Sequence, residues 1–339
     1  MAVATAMMRA LSGAEESLRL DPTSTIENIS RTLQYQVGRV LKRRGLVVAM
    51  SGGVDSSVCA ALAVRALGAD AVFGLFMPER DSDPRSLSLA QDWAEQLGIP
   101  HTTEDITPLL DGAGCYRRRN EAIRRVIPEF GDDWKCKIAL LGDRLDSDRL
   151  NVFYVAVQPP GGEIITHRLP PAEYRQVVAA TNFKQRTRKM MEYYHADRLH
   201  YAVAGTPNRL EFDQGFFVKG GDGLADVKPI AHLYKTQVYQ LARALGVPDA
   251  ITQRPPTTDT YSLPQSQEEF YFSMPAAMMD LTLHAFTSGR PTADAAAELG
   301  LTCEQVERAY REIERKRAAT RYLHLSSLLV EPVAAPDHI

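Results

Sequence analysis

Residues Leu46–Met50 (LVVAM) are a short apolar run rich in β-branched side chains, and SGGVDSS (Ser51–Ser57) follows with no residue between. A run of that kind reads as a strand buried on both faces. The stretch after it, Val58–Gly68, reads as a helix stopped by its terminal glycine. The pattern repeats with a second buried strand (Ala71–Pro78), a second helix (Ser86–Gly98) and an extended segment from His101. Strands alternating with helices give a parallel sheet with helices on both faces, because each parallel crossover must return over the sheet. In such sheets ligands bind outside the carboxyl ends of the strands, and SGGVDSS sits at one.

The remaining chain fits around that nucleus. Residues 1–24 read as a loose leader, and Thr25 is placed to cap a helix over Ile26–Arg44. A basic helix follows residue 110, and Asn151–Leu169 reads as a β-hairpin about the turn PPGG. The alternation resumes with a helix near Lys184–His195, the strand Leu199–Gly205 and a helix over Lys235–Leu245. A helical tail runs from Met274 almost to Leu325. The fold class is therefore α/β, a doubly wound, Rossmann-like parallel sheet with an inserted hairpin and a C-terminal helical tail. Its expected divisions are 1–24, 25–270 with an insertion at 111–180, and 271–339.

Composition narrows the function. A formal net charge of −3 gives no global pull towards nucleic acid or an anionic membrane, and no apolar run has the length of a membrane span. The four cysteines, Cys59, Cys115, Cys136 and Cys303, lack CxxC or CxxH spacing, which argues against a zinc site or disulfide scaffold and suits a reducing cytoplasm. His195, His200, His232 and His324 have no ligand spacing either.

SGGVDSS carries the strongest chemical signal. Gly52 and Gly53 let the backbone bring bare N–H groups close to a ligand. Ser56 and Ser57 open a helix whose N-terminus has unpaired donors and partial positive charge, a cradle for phosphate. No lysine ends the loop, so it does not attend a transferring γ-phosphate, and pyrophosphate or an α-phosphate suits it better. Asp55 is out of place in a purely anion-binding loop but sensible as a ligand of a phosphate-bridging Mg2+. The plain alternative is a Gly-Asp-Ser turn between strand and helix. A second stretch, Ala204–Lys235, puts Thr206 and Glu211 just past a strand end, then a flexible GGDG loop (Gly220–Gly223) among Lys219, Asp222, Asp226 and Lys235. Its plain alternative is a surface loop with solvated charges.

SGGVDSS after a buried strand resembles the pyrophosphate loop of the N-type ATP pyrophosphatases. Thr206, Glu211, FFVKGGDGLAD (Phe216–Asp226), Pro229, Lys235 and PPTTD (Pro255–Asp259) resemble, in order and spacing, the ammonia-dependent NAD synthetase family. NFKQRTRKM (Asn182–Met190) is similar to that family's Asn-x-x-x-Arg-x-Arg-Met helix. The resemblance implies that ATP is held by Ser51, Gly52, Gly53, Asp55, Ser56, Ser57, Arg186, Thr206, Lys235 and Thr257. It implies Mg2+ on Asp55 and Glu211, and the acyl substrate near Lys219, Asp222 and Asp226. Lys235, Thr257, Asp222 and Asp55 would be catalytic. The implied reaction adenylylates the carboxylate of deamido-NAD and displaces AMP with ammonia, free or supplied by a separate glutaminase, since the chain has no room for its own. The family is a homodimer with the acyl site shared across the interface.

Three departures bear on the acyl substrate: the extra material at 115–175, Arg315-Lys316-Arg317 in place of the family's His-Lys-Arg, and the tail from Met274. They leave room for another carboxylate, as in an amide ligase of secondary metabolism or glycan modification, or for sulfur transfer through Cys115 or Cys136. Those two cysteines otherwise read as small buried apolar residues. A repurposed, non-catalytic ATP-binding protein is opposed by Asp55, Glu211, Lys235 and Thr257. Pro291–Arg317 also reads as a helix-turn-helix with Gln305, Arg308 and Arg311 on its second helix, but Glu304, Glu307, Glu312 and Glu314 oppose nucleic-acid binding. Arg117–Arg125 reads as a solvated helix face rather than a phosphate clamp, and Met274, Met278 and Met279 as packing.

Overall fold

The computed structural model describes residues 16–140, 153–255, 260–264 and 274–333. Its centre is a four-stranded parallel sheet of β1 (Leu46–Ala49), β2 (Val72–Phe76), β3 (His101–Thr103) and β7 (Ala202–Ala204), in the order β3-β2-β1-β7. The order reverses at β1, where the register pairs Leu46 with both Val72 and Ala202. A crevice opens at such a switch point, and Ser51 begins there.

Side chains alternate across this sheet as period-two geometry requires. Leu46, Val48 and Ala202 face one core with α1 (Pro22–Tyr35), α2 (Val54–Leu67), α3 (Pro84–Leu97) and α8 (Lys235–Ala244). Val47, Phe73 and Val203 face another with α4 (Thr107–Gly112), α5 (Cys115–Arg124) and α6 (Pro171–Leu199). Both faces are covered over β1, β2 and β7, which accounts for three strands that carry no polar side chain.

Asp21, not Thr25, caps α1. Its side chain accepts the Thr23 N–H, and Pro22 begins the helix, where its missing donor costs nothing. Leu18, assigned by sequence to a loose leader, is buried among the tail helices. The expected hairpin is two strands of three: β4 (Lys135–Leu140), β5 (Phe153–Gln158) and β6 (Ile165–Arg168) form an antiparallel sheet. Its PPGG turn has Gly161 at φ +69, and Gly162 N–H donates to Pro159 O, as a type II turn with proline at its second position requires. This sheet packs on α5 and the start of α6 through Ile123, Ile138, Val155 and Val177. Cys115 and Cys136 are buried, as expected of small apolar residues.

A short helix, α9 (Asp249–Thr252), precedes the tail, which is α10 (Ala276–Thr287), α11 (Thr292–Leu299) and α12 (Cys303–His324). Met274, Met278 and Met279 are core residues here, as expected. In the helix-turn-helix stretch, Arg308 meets Glu304 and Arg311 meets Glu307 one turn away, so the second helix presents no unbalanced basic face at those positions. No helix among the described residues is long and apolar enough to cross a membrane.

One buried carboxylate joins the tail to α8. Asp280 accepts the Thr236 N–H at 2.7 Å and its hydroxyl at 2.8 Å. Burial raises its pKa to about 6, against the hydrogen bonds from Thr236 and the pull of Lys235. The unfolded carboxyl releases its proton near 4, so the folded form binds more protons between about pH 4 and 6. Its contribution to stability is fully present below pH 4 and is lost as pH rises to 6, on the order of 3 kcal/mol. We expect Asp280→Asn to gain stability relative to the parent by that order as pH is raised from 4 to 7, measured as Tm at each pH. A difference that stays constant with pH contradicts this.

Candidate active site

A cleft of about 960 Å3 opens at the carboxyl ends of β1, β2 and β7. Its floor is the loop from β1 into α2. Gly52 has φ +75, and a Cβ there would meet Ser86 O at 2.3 Å, so only glycine fits both the conformation and the approach of α3. The loop is braced from within: Ser56 Oγ donates to Gly53 O at 3.1 Å and Ser57 Oγ to the same oxygen at 2.9 Å, while Ser51 N–H donates to Ser56 Oγ at 3.2 Å. Ser51, Gly53, Asp55 and Ser56 line the cleft, whereas Gly52 and Ser57 shape the loop from behind.

The end of β7 supplies the second wall. Thr206 and Glu211 line the cleft, and Glu211 is oriented by a capping box at α7 (Arg209–Gln214), accepting the Asn208 N–H while Asn208 accepts its own. Asn208 also donates to Asp55 Oδ1 at 3.3 Å, joining the two walls. Lys235, the first residue of α8, is buried and paired with Asp55. Burial opposes its charge, yet Asp55 and Glu211 outweigh that and hold the ammonium above the ordinary lysine range. A lysine in that state keeps its proton and serves as a fixed positive charge rather than an acid or base.

Among the described residues no group of three or more His, Cys, Asp or Glu forms a ready metal cage. Asp55 and Glu211 are two hard oxygen donors facing one lysine. That set fits Mg2+, which takes one or two carboxylates and completes its shell with phosphate and water.

The GGDG loop lies on the other side of the cleft. The partly buried Asp222 accepts the Val218 N–H at 2.8 Å. Burial pushes its carboxyl up, against that hydrogen bond and the cations Lys189 and Arg188. Arg186 lines the cleft and donates to Lys219 O at 3.3 Å.

Two expected substrate residues are otherwise engaged. Lys219 lines the cleft, but its ammonium donates to Tyr322 O at 2.7 Å and Leu325 O at 3.0 Å, at the end of α12. Asp226 lies outside the cleft lining: it accepts the Val203 N–H at 2.7 Å and the Tyr193 hydroxyl at 3.2 Å, which fastens the loop to β7. Thr257 lies outside the described residues. Arg119 belongs to the run read as a solvated face, yet it is buried against Asp81 at 2.6 Å.

Sequence reasoning missed a buried pair in the cleft, Lys189 with Glu192 at 2.6 Å. The available signal was Lys189 standing where the Asn-x-x-x-Arg-x-Arg-Met pattern has methionine. It also missed Arg254, which donates to Ser86 Oγ and Asp83 Oδ2, each at 2.8 Å, and ties the start of α3 to the far wall.

A family model described as NAD synthase matches residues 25–122 and 160–321. The chain belongs to the NAD synthase family. The family is one of the pyrophosphate-loop superfamily, and the stretch unmatched by its model, between 122 and 160, holds β4 and β5. An NH3-dependent NAD+ synthetase of Mesorhizobium japonicum is 57% identical over 312 residues, 92% of this chain and 98% of that protein. Among solved structures, an NH3-dependent NAD synthetase of Campylobacter jejuni superposes with TM-score 0.60 at 18% identity, covering 92% of this chain and all of that one. An NMN synthetase of Francisella tularensis gives TM-score 0.60 at 22% identity, covering 92% and 99%. At those identities the structures speak for the fold alone.

Proposed function

We propose that the chain is an ammonia-dependent NAD synthetase that uses ATP to amidate deamido-NAD in the cytoplasm. The observation that carries this is the meeting of Asp55, Glu211 and Lys235, from three separate segments, around a phosphate-cradling loop. ATP places its phosphates on the backbone N–H groups of Gly52–Ser56, with Thr206 and Arg186 on the cleft walls. Asp55 and Glu211 would hold the Mg2+, which would supply neutralisation of phosphate charge when bound.

A carboxylate oxygen of deamido-NAD attacks the α-phosphorus, the bond to the bridging oxygen breaks, and pyrophosphate leaves onto the loop. Lys235, kept protonated by its two carboxylates, stabilises the negative charge that builds on the phosphoryl oxygens. Thr257 shares that role. Ammonia then attacks the acyl carbon and AMP departs with the oxygen that formed the adenylate. Asp222, on the GGDG loop, accepts the proton that the nitrogen must shed. Lys219, locked to the end of α12, holds that loop over the cleft and limits attack by water on the adenylate. The reading extends to a homodimer with the acyl site at its interface, and Asp226 supports the loop from behind.

The test is turnover with ATP, Mg2+ and ammonium, with and without deamido-NAD, following AMP, pyrophosphate and NAD by mass. NAD formed one-to-one with AMP is the expected result. AMP formation that requires a smaller acid such as nicotinate mononucleotide, with none from deamido-NAD, keeps the adenylating chemistry and overturns the substrate.

A further inference from the structure

Lys184 lies on α6 two residues before Arg186, and its side chain has no exposed surface. Its ammonium donates to Glu79 Oε1 at 2.8 Å, Asp81 Oδ2 at 2.7 Å and Thr260 O at 2.8 Å, which uses all three of its protons. Glu79 is equally buried, and its other oxygen accepts the Tyr116 hydroxyl at 2.7 Å and the Asp81 N–H at 3.1 Å. Asp81 is paired a second time, with Arg119. Burial pushes the Asp81 carboxyl up, but Lys184 and Arg119 overcome this and leave it below its ordinary value. Two carboxylates and two cations thus balance with no residual charge.

Desolvating four charges is expensive, and well-packed apolar residues would stabilise a fold as well or better. Stability alone therefore does not account for the cluster. Its position does. Glu79 and Asp81 belong to the loop leaving β2, whose Glu79, Arg80, Ser82 and Asp83 line the cleft beside the phosphate loop. Thr260 follows the Pro255–Asp259 stretch, and itself lines the cleft. One helical turn beyond Lys184, Arg188 donates to Met77 O at 3.4 Å at the base of the same loop. A single buried ammonium on α6 thus joins the β2 loop, 105 and 103 residues away at Glu79 and Asp81, to Thr260, 76 residues away.

We propose that Lys184, with Glu79 as its partner, is a positioning residue for ATP: it sets the distance between the β2 loop, α6 and the backbone at Thr260, and so sets ATP affinity without touching the reacting atoms. This rests on reading the cleft as the ATP site. Lys184→Met alone strands buried carboxylates and risks failure to fold. The double variant Lys184→Met/Glu79→Gln removes one charge of each sign and leaves Asp81 paired with Arg119. Tyr116→Phe loosens the cluster by a single hydrogen bond.

The experiment measures ATP dissociation constants by calorimetry, together with KM and kcat, on the parent and both variants, with Tm as the check on folding. The expected result is ATP binding about tenfold weaker in the folded double variant, with kcat at saturating ATP within about threefold of the parent. Tyr116→Phe is expected to shift ATP affinity in the same direction by less. A double variant with lowered Tm but parental ATP affinity overturns the proposal, because a merely structural cluster moves only Tm. Should the double variant not fold, unchanged ATP affinity in Tyr116→Phe overturns it. Failure of the underlying reading looks different, since the parent itself would then not bind ATP.

Discussion

Asp55→Asn is expected to lower kcat/KM for ATP-dependent amidation about a thousandfold while the protein remains folded. The substitution keeps the size of the side chain, and its amide oxygen can still accept the proton from Asn208 Nδ2. The carboxylate charge is lost, and with it the partner that keeps the buried Lys235 ammonium oriented over the phosphate loop. Fixed charges aimed at a transferring phosphoryl group in a water-poor cleft are worth several kcal/mol each in the transition state. Lys235→Met is expected to cost a similar factor. Because Asp55 and Lys235 act as one unit, the double variant should lose little more than either single one. Pyrophosphate release at ATP concentrations well below KM reads all three. A double variant whose loss equals the product of the single losses contradicts the pairing.

Asp222→Asn is expected to separate the two half-reactions. Amide formation should fall about a hundredfold or more, the usual weight of a positioned general base. Carboxylate-dependent exchange of labelled pyrophosphate into ATP should survive, since Asp222 has no role in adenylate formation. The neutral amide can still accept the Val218 N–H, so the loop is not left unfastened. Burial pushes the Asp222 carboxyl up. The parent should therefore lose amide formation as pH falls through a value above the ordinary carboxylate range. The ratio of parent to variant rates, in which ammonia supply cancels, should shrink over the same range. A ratio independent of pH, or loss of the exchange reaction along with amide formation, contradicts this role.

The phosphate loop and the Thr206–Lys235 stretch were legible because their chemistry is local. Glycines, hydroxyls and a carboxylate within seven residues behind a buried strand admit few structures, and the two faces of that strand alternate as the run implied. The start of α6 was not legible. It was expected near Lys184 and begins at Pro171, because before Lys184 this helix buries only Val177, Ala180 and Thr181 and so has little apolar periodicity to follow. β4 was missed for a related reason: Lys135 and Lys137 alternate with the buried Cys136 and Ile138 and dilute a six-residue signal. Charged residues fixed by long-range partners were the hardest to assign. The family resemblance implies acyl substrate near Lys219 and Asp226, and in the structure one holds carbonyls more than a hundred residues away and the other holds the β7 backbone. The role of Lys184 had no local signature, since each hydrogen bond of its ammonium spans at least 76 residues.

The central claim is that the acyl carboxylate itself attacks the α-phosphorus in this cleft. Deamido-NAD carrying oxygen-18 in its carboxylate tests it most directly, with the AMP, pyrophosphate and NAD products weighed after a single turnover. One heavy oxygen in the AMP phosphate, one retained in the NAD amide and none in pyrophosphate is the result expected. Heavy oxygen in pyrophosphate or inorganic phosphate, or AMP without label, would mean that the bond forms elsewhere and would contradict the account.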